Sequence, residues 1–108
     1  MKIFMDTSSL IKLYHYEVDT ERIDTLLREN PISEIYLSEL AKVEFFSAIW
    51  KKVRTKELSE IYAVSLISSF QSDFSKFSFI KLQRDLIEKA STLIMQYGNL
   101  GLRTLDSI

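Results

Sequence analysis

Short apolar runs alternate with stretches of helical periodicity along this chain. Residues 2–5 form an apolar run that is too short for a helix and predicts a buried strand. Asp6 follows directly, and the hydroxyl side chains of residues 7–9 can cap a short helix that continues through Tyr14. The chain therefore begins with a strand, an acidic residue and a helix.

The same alternation continues through the rest of the chain. Helical spacing of apolar residues predicts four further helices, over about residues 19–29, 38–54, 58–74 and 86–97. Two further apolar runs predict strands at residues 35–37 and 77–80. Alternating strands and helices form right-handed crossovers around a parallel sheet. We therefore expect a three-layer α/β fold, in which ligands bind beyond the carboxyl ends of the strands.

Two of the predicted helices carry broad apolar surfaces. Helix 38–54, with Ser38 as its cap, is expected to be largely buried through six residues: Leu40, Phe45, Phe46, Ile49, Trp50 and Val53. Helix 58–74 is expected to direct four residues inward: Ile61, Leu66, Ile67 and Phe70. Packing in the core is the expected role of these side chains.

Composition restricts the class of protein. A length of 108 residues predicts one domain over residues 1–108, and 46% hydrophobic with 27% charged residues is typical of a globular protein. The net charge of −1 creates no strong overall field toward nucleic acid. With no Cys and one His, any metal must be bound by oxygen ligands. Without a signal peptide or a long apolar run, we expect a cytoplasmic location.

Three carboxylates are candidates for a functional site. Asp6 directly follows a buried strand, where it either caps the next helix or binds a metal. Glu44 lies among small and apolar residues that let another element approach, although an ion pair with a nearby lysine is the simpler interpretation. Asp106 follows Thr104, which can cap a helix whose dipole favours an acid in the first turn.

Together these carboxylates would form a site for a hard cation. Carboxylates held close together repel one another unless a divalent cation neutralises them. Mg²⁺ and Mn²⁺ suit oxygen ligands, and such an ion activates water and offsets charge on a phosphate group. The sequence thus predicts metal-assisted hydrolysis of a phosphodiester by Asp6, Glu44 and Asp106.

Three segments resemble the PIN-domain ribonucleases, specifically the VapC-type toxins of toxin–antitoxin pairs: residues 5–14, residues 37–44 and residues 102–106. The resemblance implies an α/β/α sandwich with a parallel sheet and an endoribonuclease that uses Mg²⁺ or Mn²⁺. It also implies a cognate antitoxin that neutralises the activity. Asp6, Glu44 and Asp106 match the family's first three acidic positions, and Ser8 matches a hydroxyl position beside the metal.

One feature departs from the family pattern. That pattern continues past the third acid through another helix and strand to a further acidic residue, whereas this sequence ends at Ile108. We therefore expect a C-terminally truncated PIN-like domain that lacks its last strands. Without those strands, residues 3–5 should form an exposed apolar edge that favours self-association.

Basic residues and apolar residues are candidates for contacts with a substrate and with a partner protein. Lys51, Lys52, Arg54 and Arg103 could contact RNA phosphates, although cations at a helix end also complement the helix dipole. Apolar surface on the third and fourth helices could bind the antitoxin or a second protomer, giving a homodimer.

Two other functions stay open. A PIN remnant without turnover would act only as an antitoxin-binding module. A phosphatase with an aspartyl nucleophile typically needs a second Asp two residues later, and Ser8 occupies that position.

Overall fold

The computed structural model describes residues 1–81 and the strand at residues 102–104, and these residues form a mixed α/β fold. Four strands build one sheet in the order β3-β2-β1-β4. The strands are β1 (Lys2–Met5), β2 (Glu34–Ser38), β3 (Ser78–Ile80) and β4 (Leu102–Thr104). β1, β2 and β3 are parallel, as predicted, whereas β4 runs antiparallel to β1. The parallel arrangement of the three predicted strands is therefore confirmed, and the additional strand β4 makes the sheet mixed.

Helices connect the parallel strands. α1 (Thr7–Tyr14) and α2 (Thr20–Glu29) connect β1 to β2, and α3 (Ala41–Arg54) and α4 (Glu60–Ser72) lead toward β3. A short 3₁₀ helix (Phe74–Lys76) precedes β3. These elements confirm four of the five predicted helices, and the fifth, over residues 86–97, lies outside the described residues. In the described part of the chain, no helix is long and apolar enough to cross a lipid bilayer.

β1 is a central strand and not the exposed edge that we predicted. Ile3 is aligned with Ile35 of β2 on one side and with Thr104 of β4 on the other. Residues 102–104, for which the sequence pattern predicted no strand, supply this second neighbour. Both edges of β1 are therefore paired, and its side chains Ile3 and Met5 are buried, whereas Phe4 is half-buried.

The start of α3 also differs from the prediction. Ser38 is the last residue of β2, and α3 begins at Ala41 after a turn. The Oγ of Ser38 accepts a hydrogen bond from the backbone N–H of Leu40 at 3.1 Å. Ser38 therefore caps the turn and not the helix, because sheet pairing continues through its backbone.

The core lies between β1, β2 and the helices. α1 packs against α2, α3 and α4, so all three other helices contact it. The largest fully buried side chains include Met5, Leu10, Ile23, Phe45 and Phe70. The rings of Phe45 and Phe70 lie 4.4 Å apart between centroids, which joins α3 to α4.

Several apolar residues predicted to be buried are exposed. The buried positions of α3 are Ala41, Phe45 and Ile49, which recur every four residues along one face. Phe46 is 51% exposed, and Leu40, which precedes the helix, is 66% exposed. Ile61 of α4 is likewise 86% exposed. Each helix turns a single face to the core, so the broad apolar surface is only partly covered.

A hydrogen bond between Tyr14 and Asp73 connects α1 to the end of α4 and stabilises the fold. The Tyr14 hydroxyl donates a 2.8 Å hydrogen bond to Asp73 Oδ2 across 59 residues of sequence. Burial, together with this bond, raises the pKa of Tyr14 above its ordinary value of 10.0. The same bond, aided by Lys76, lowers the pKa of Asp73 below its ordinary value of 3.8. A carboxylate with a lowered pKa stabilises the fold above that ordinary value and loses the effect as the pH falls through its folded pKa.

We therefore expect Tyr14→Phe to lower the free energy of unfolding at neutral pH, and the difference from wild type to shrink when the pH falls well below 3.8. Urea unfolding at the two pH values measures both effects. Tyr16→Phe is the control, because the Tyr16 hydroxyl donates to Glu21 at an exposed position. An equal loss in both variants, or a loss in Tyr14→Phe that is independent of pH, would contradict the prediction.

Candidate active site

Asp6 follows the carboxyl end of β1 and caps α1. Its backbone is extended, with φ −80° and ψ 170°, as is typical of an N-cap. The Oδ1 of Asp6 accepts hydrogen bonds from the Ser9 backbone N–H and from the Ser8 Oγ, both at 2.9 Å. Of the two roles weighed for Asp6, the capping role is therefore confirmed. Among the described residues no hydrogen bond reaches Oδ2, so the cap leaves one oxygen for a further ligand.

Glu44 lies beside the start of α1, although it belongs to α3. The Thr7 Oγ1 donates a hydrogen bond to Glu44 Oε1 at 2.8 Å, across 37 residues of sequence. Thr7 is the residue after Asp6, so this bond brings the two candidate carboxylates to neighbouring positions at the carboxyl end of β1. The sequence predicts only a capping role for Thr7. Its position next to Asp6 is the one sequence signal that it could also hold a carboxylate of the site.

Two of the lysines near Glu44, Lys42 and Lys52, have other partners. Lys42 lies 3.6 Å from Glu39, and Lys52 lies 2.8 Å from Glu17. In the described part of the chain no lysine forms an ion pair with Glu44. The simpler interpretation of Glu44, an ion pair with a lysine, is therefore wrong, because α1 and not α3 supplies its partner.

The two carboxylates fit a hard cation chemically. Both side chains are exposed, and each has one oxygen that receives no hydrogen bond from residues 1–81. Carboxylate oxygens are the ligands that Mg²⁺ and Mn²⁺ prefer, and Mg²⁺ usually keeps several waters. Two carboxylates that are open to solvent thus suit such an ion, because water can fill its remaining coordination positions.

The third predicted ligand is not described. Asp106 lies outside the described residues, and so does the predicted helix after Thr104. Within residues 1–81, no three side chains of the types His, Cys, Asp or Glu form a group able to hold a metal. β4 runs antiparallel to β1, with Leu102 aligned with Met5 and Thr104 with Ile3, so the strand is directed away from Asp6. The convergence of Asp106 with Asp6 and Glu44 stays a prediction.

A cleft of about 350 Å³ opens between α1 and α3. Ser8 and Ile11 line it from α1, and Ala48 and Lys51 line it from α3. Its far end contains a second group of lining residues: Glu17, Lys52, Thr55 and Glu57. The cleft therefore connects the Ser8 side of the candidate site to the basic end of α3.

The predicted phosphate-binding residues fall into different environments. Lys52 is half-buried and lies 2.8 Å from Glu17 and 3.2 Å from Glu57. The bond to Glu17 contributes most to raising the pKa of Lys52, against a smaller opposing effect of burial. Lys51 and Arg54 are exposed in the last turn of α3. The Arg103 backbone lies in β4, aligned with Phe4.

Comparison of the sequence with protein-family models and with curated proteins found no match. The residues of this chain and their geometry therefore carry the evidence for its function.

Proposed function

We propose that this protein is a metal-dependent endoribonuclease of the PIN type, resembling the VapC toxins. The observation that carries the proposal is the hydrogen bond between Thr7 and Glu44 beside the cap formed by Asp6. Through this bond Glu44 lies beside Thr7, the residue that follows Asp6, at the carboxyl end of the central strand β1. Ligand sites of α/β proteins form at that position.

Asp6 and Glu44 would hold Mg²⁺ or Mn²⁺, with Asp106 as the predicted third ligand. When bound, the ion would activate water and offset the charge that develops on the phosphate. The chain's own residues orient the ligands. Ser8 and Ser9 fix one oxygen of Asp6, and Thr7 fixes one oxygen of Glu44. Hydrogen-bonded supports of this kind typically change metal affinity or activity by about 10- to 100-fold.

Internal cleavage of RNA tests the proposal. The purified protein should cut single-stranded RNA in the presence of Mg²⁺ or Mn²⁺, and EDTA should stop the reaction. We expect Glu44→Gln to lower the rate about tenfold or more, because it removes a charged ligand. Denaturing gels of end-labelled RNA give the rate.

Glu39→Gln is the matched control, since it removes the same charge five residues earlier from an exposed pair with Lys42. The control should cut RNA at the wild-type rate. Equal rates for Glu44→Gln and wild type would show that the cleavage arises elsewhere. The absence of metal-dependent cleavage by the wild-type protein would reject the nuclease function.

A second candidate function, a protein-binding module without turnover, has its own support. Exposed apolar side chains of α3 and α4, which we name the α3–α4 face, include Val43, Phe46, Ile61 and Val64. Trp50 joins Ile61 and Val64 in a groove of about 470 Å³. Contiguous exposed apolar surface is typical of protein contacts. Tight binding of an antitoxin by a protein that cuts no RNA would select this candidate.

The remaining expectations belong to the same proposal. They are a three-layer PIN-like sandwich, a cytoplasmic location, neutralisation by a cognate antitoxin and a homodimer. Sedimentation equilibrium of the purified protein measures the last of these directly, and a mass of one chain would reject the homodimer.

A further inference from the structure

One stripe of α3 leads from the candidate metal site along the cleft. Glu44, Ala48 and Lys51 are spaced four and three residues apart, so they lie on the same face of the helix. Across the cleft, α1 presents Ser8 and Ile11. Ser8 is bonded to Asp6, and Glu44 is bonded to Thr7. Ser8, whose hydroxyl is bonded to Asp6, therefore lines the cleft on the α1 side, and Lys51 lines it on the α3 side.

Lys51 and Lys52 differ in what neutralises them, although both line the cleft. Lys52 is held by Glu17 and Glu57, so its charge is already balanced within the protein. Lys51 is exposed, and among residues 1–81 no carboxylate forms an ion pair with it. Of the two lysines in the cleft, only Lys51 offers its full charge to an anion.

We propose that Lys51 binds a backbone phosphate of an RNA strand that lies in the cleft between α1 and α3. The inference rests on the proposed nuclease function and adds the path of the substrate. Seven residues separate Lys51 from Glu44, which is about 10 Å along the helix axis. The bound phosphate is therefore not the one that is cut. Lys51 is a positioning residue, and its contact is independent of base sequence.

Direct binding measurements test the contact without cleavage. A short fluorescein-labelled single-stranded RNA is titrated with the protein in EDTA, and anisotropy gives the Kd over a range of salt concentrations. We expect Lys51→Gln to weaken binding about tenfold at low salt and to make the salt slope shallower by about 0.7, the value for one phosphate contact on a single strand. Lys51→Arg should restore binding, since it keeps the charge.

Arg28→Gln is the matched control for charge. Arg28 is also an exposed basic residue in the last turn of its helix, but it lies on α2 and does not line the cleft. It should bind RNA as the wild type does. Equal weakening by Lys51→Gln and Arg28→Gln would overturn the inference in favour of overall electrostatic attraction.

Kinetics separate this inference from the proposed function. With Mg²⁺ present, Lys51→Gln should raise KM about tenfold and leave kcat nearly unchanged, the pattern of a lost binding contact. Wild-type cleavage combined with an unchanged KM and Kd in Lys51→Gln would overturn the inference and leave the nuclease intact. RNA binding that depends on Lys51 in a protein without cleavage would support the phosphate contact and reject the nuclease.

Discussion

Asp6→Asn is expected to reduce metal-dependent RNA cleavage by at least about 100-fold while the protein stays folded. In the proposed function the charge of Asp6 would bind the cation, and loss of a metal contact costs several kcal/mol in the transition state, with each 1.36 kcal/mol worth about tenfold in rate. Asn is as good an N-cap as Asp, so its amide oxygen can still accept the bond from the Ser9 N–H. Cleavage rates and urea unfolding of the same preparation measure the two effects separately.

Asp6→Asn should change the free energy of unfolding by less than about 1 kcal/mol, the range of a charge at a helix N-terminus. Asp19→Asn is the matched control. Asp19 is the N-cap residue of α2, and its side chain makes no capping hydrogen bond. That variant loses the same charge at a helix start and should cut RNA normally. Undiminished cleavage by Asp6→Asn would refute the assigned mechanism.

Phe45→Ala is expected to destabilise the fold by about 3 to 5 kcal/mol, the usual cost of removing a buried phenyl ring. Phe45 is 1% exposed, and its ring centroid lies 4.4 Å from that of Phe70 and 5.5 Å from that of Tyr14. The cavity would open where α1, α3 and α4 meet. A loss of this size is a large share of the roughly 5 to 15 kcal/mol that stabilises a typical domain. Chemical denaturation monitored by circular dichroism measures it.

The next residue supplies the control. Phe46 has the same side chain and is 51% exposed on the α3–α4 face, so Phe46→Ala should cost less than about 1 kcal/mol. Similar losses in the two variants would mean that the packing of α3 is assigned to the wrong face.

Local patterns predicted much of the fold because they act over a few residues. The apolar run at residues 2–5 and the polar cluster after it predicted β1 and α1 correctly, since strand length and capping depend on neighbours in sequence. Pro31 follows the end of α2 as expected, because a proline disfavours the helical conformation of the residue before it.

Local patterns gave no correct prediction where pairing with a distant strand decides the structure of a segment. Ser38 has the chemistry of a helix cap, but pairing of β2 with β3 holds its backbone in the sheet. Residues 102–104 are too few for a periodic signal, and they form a strand because β1 offers an unpaired side to them. Neither outcome can be derived from local propensity alone.

The sequence by itself determined that an acid follows the first strand and begins a helix, because those contacts lie within three residues. Only the tertiary structure decided that Glu44 reaches Thr7, that Phe45 and not Phe46 enters the core, and that Lys52 is neutralised by Glu17. Periodicity shows that a helix has an apolar face. The packing of α3 against α1 decides which side chains of α3 contact a neighbouring helix and which stay exposed to a ligand.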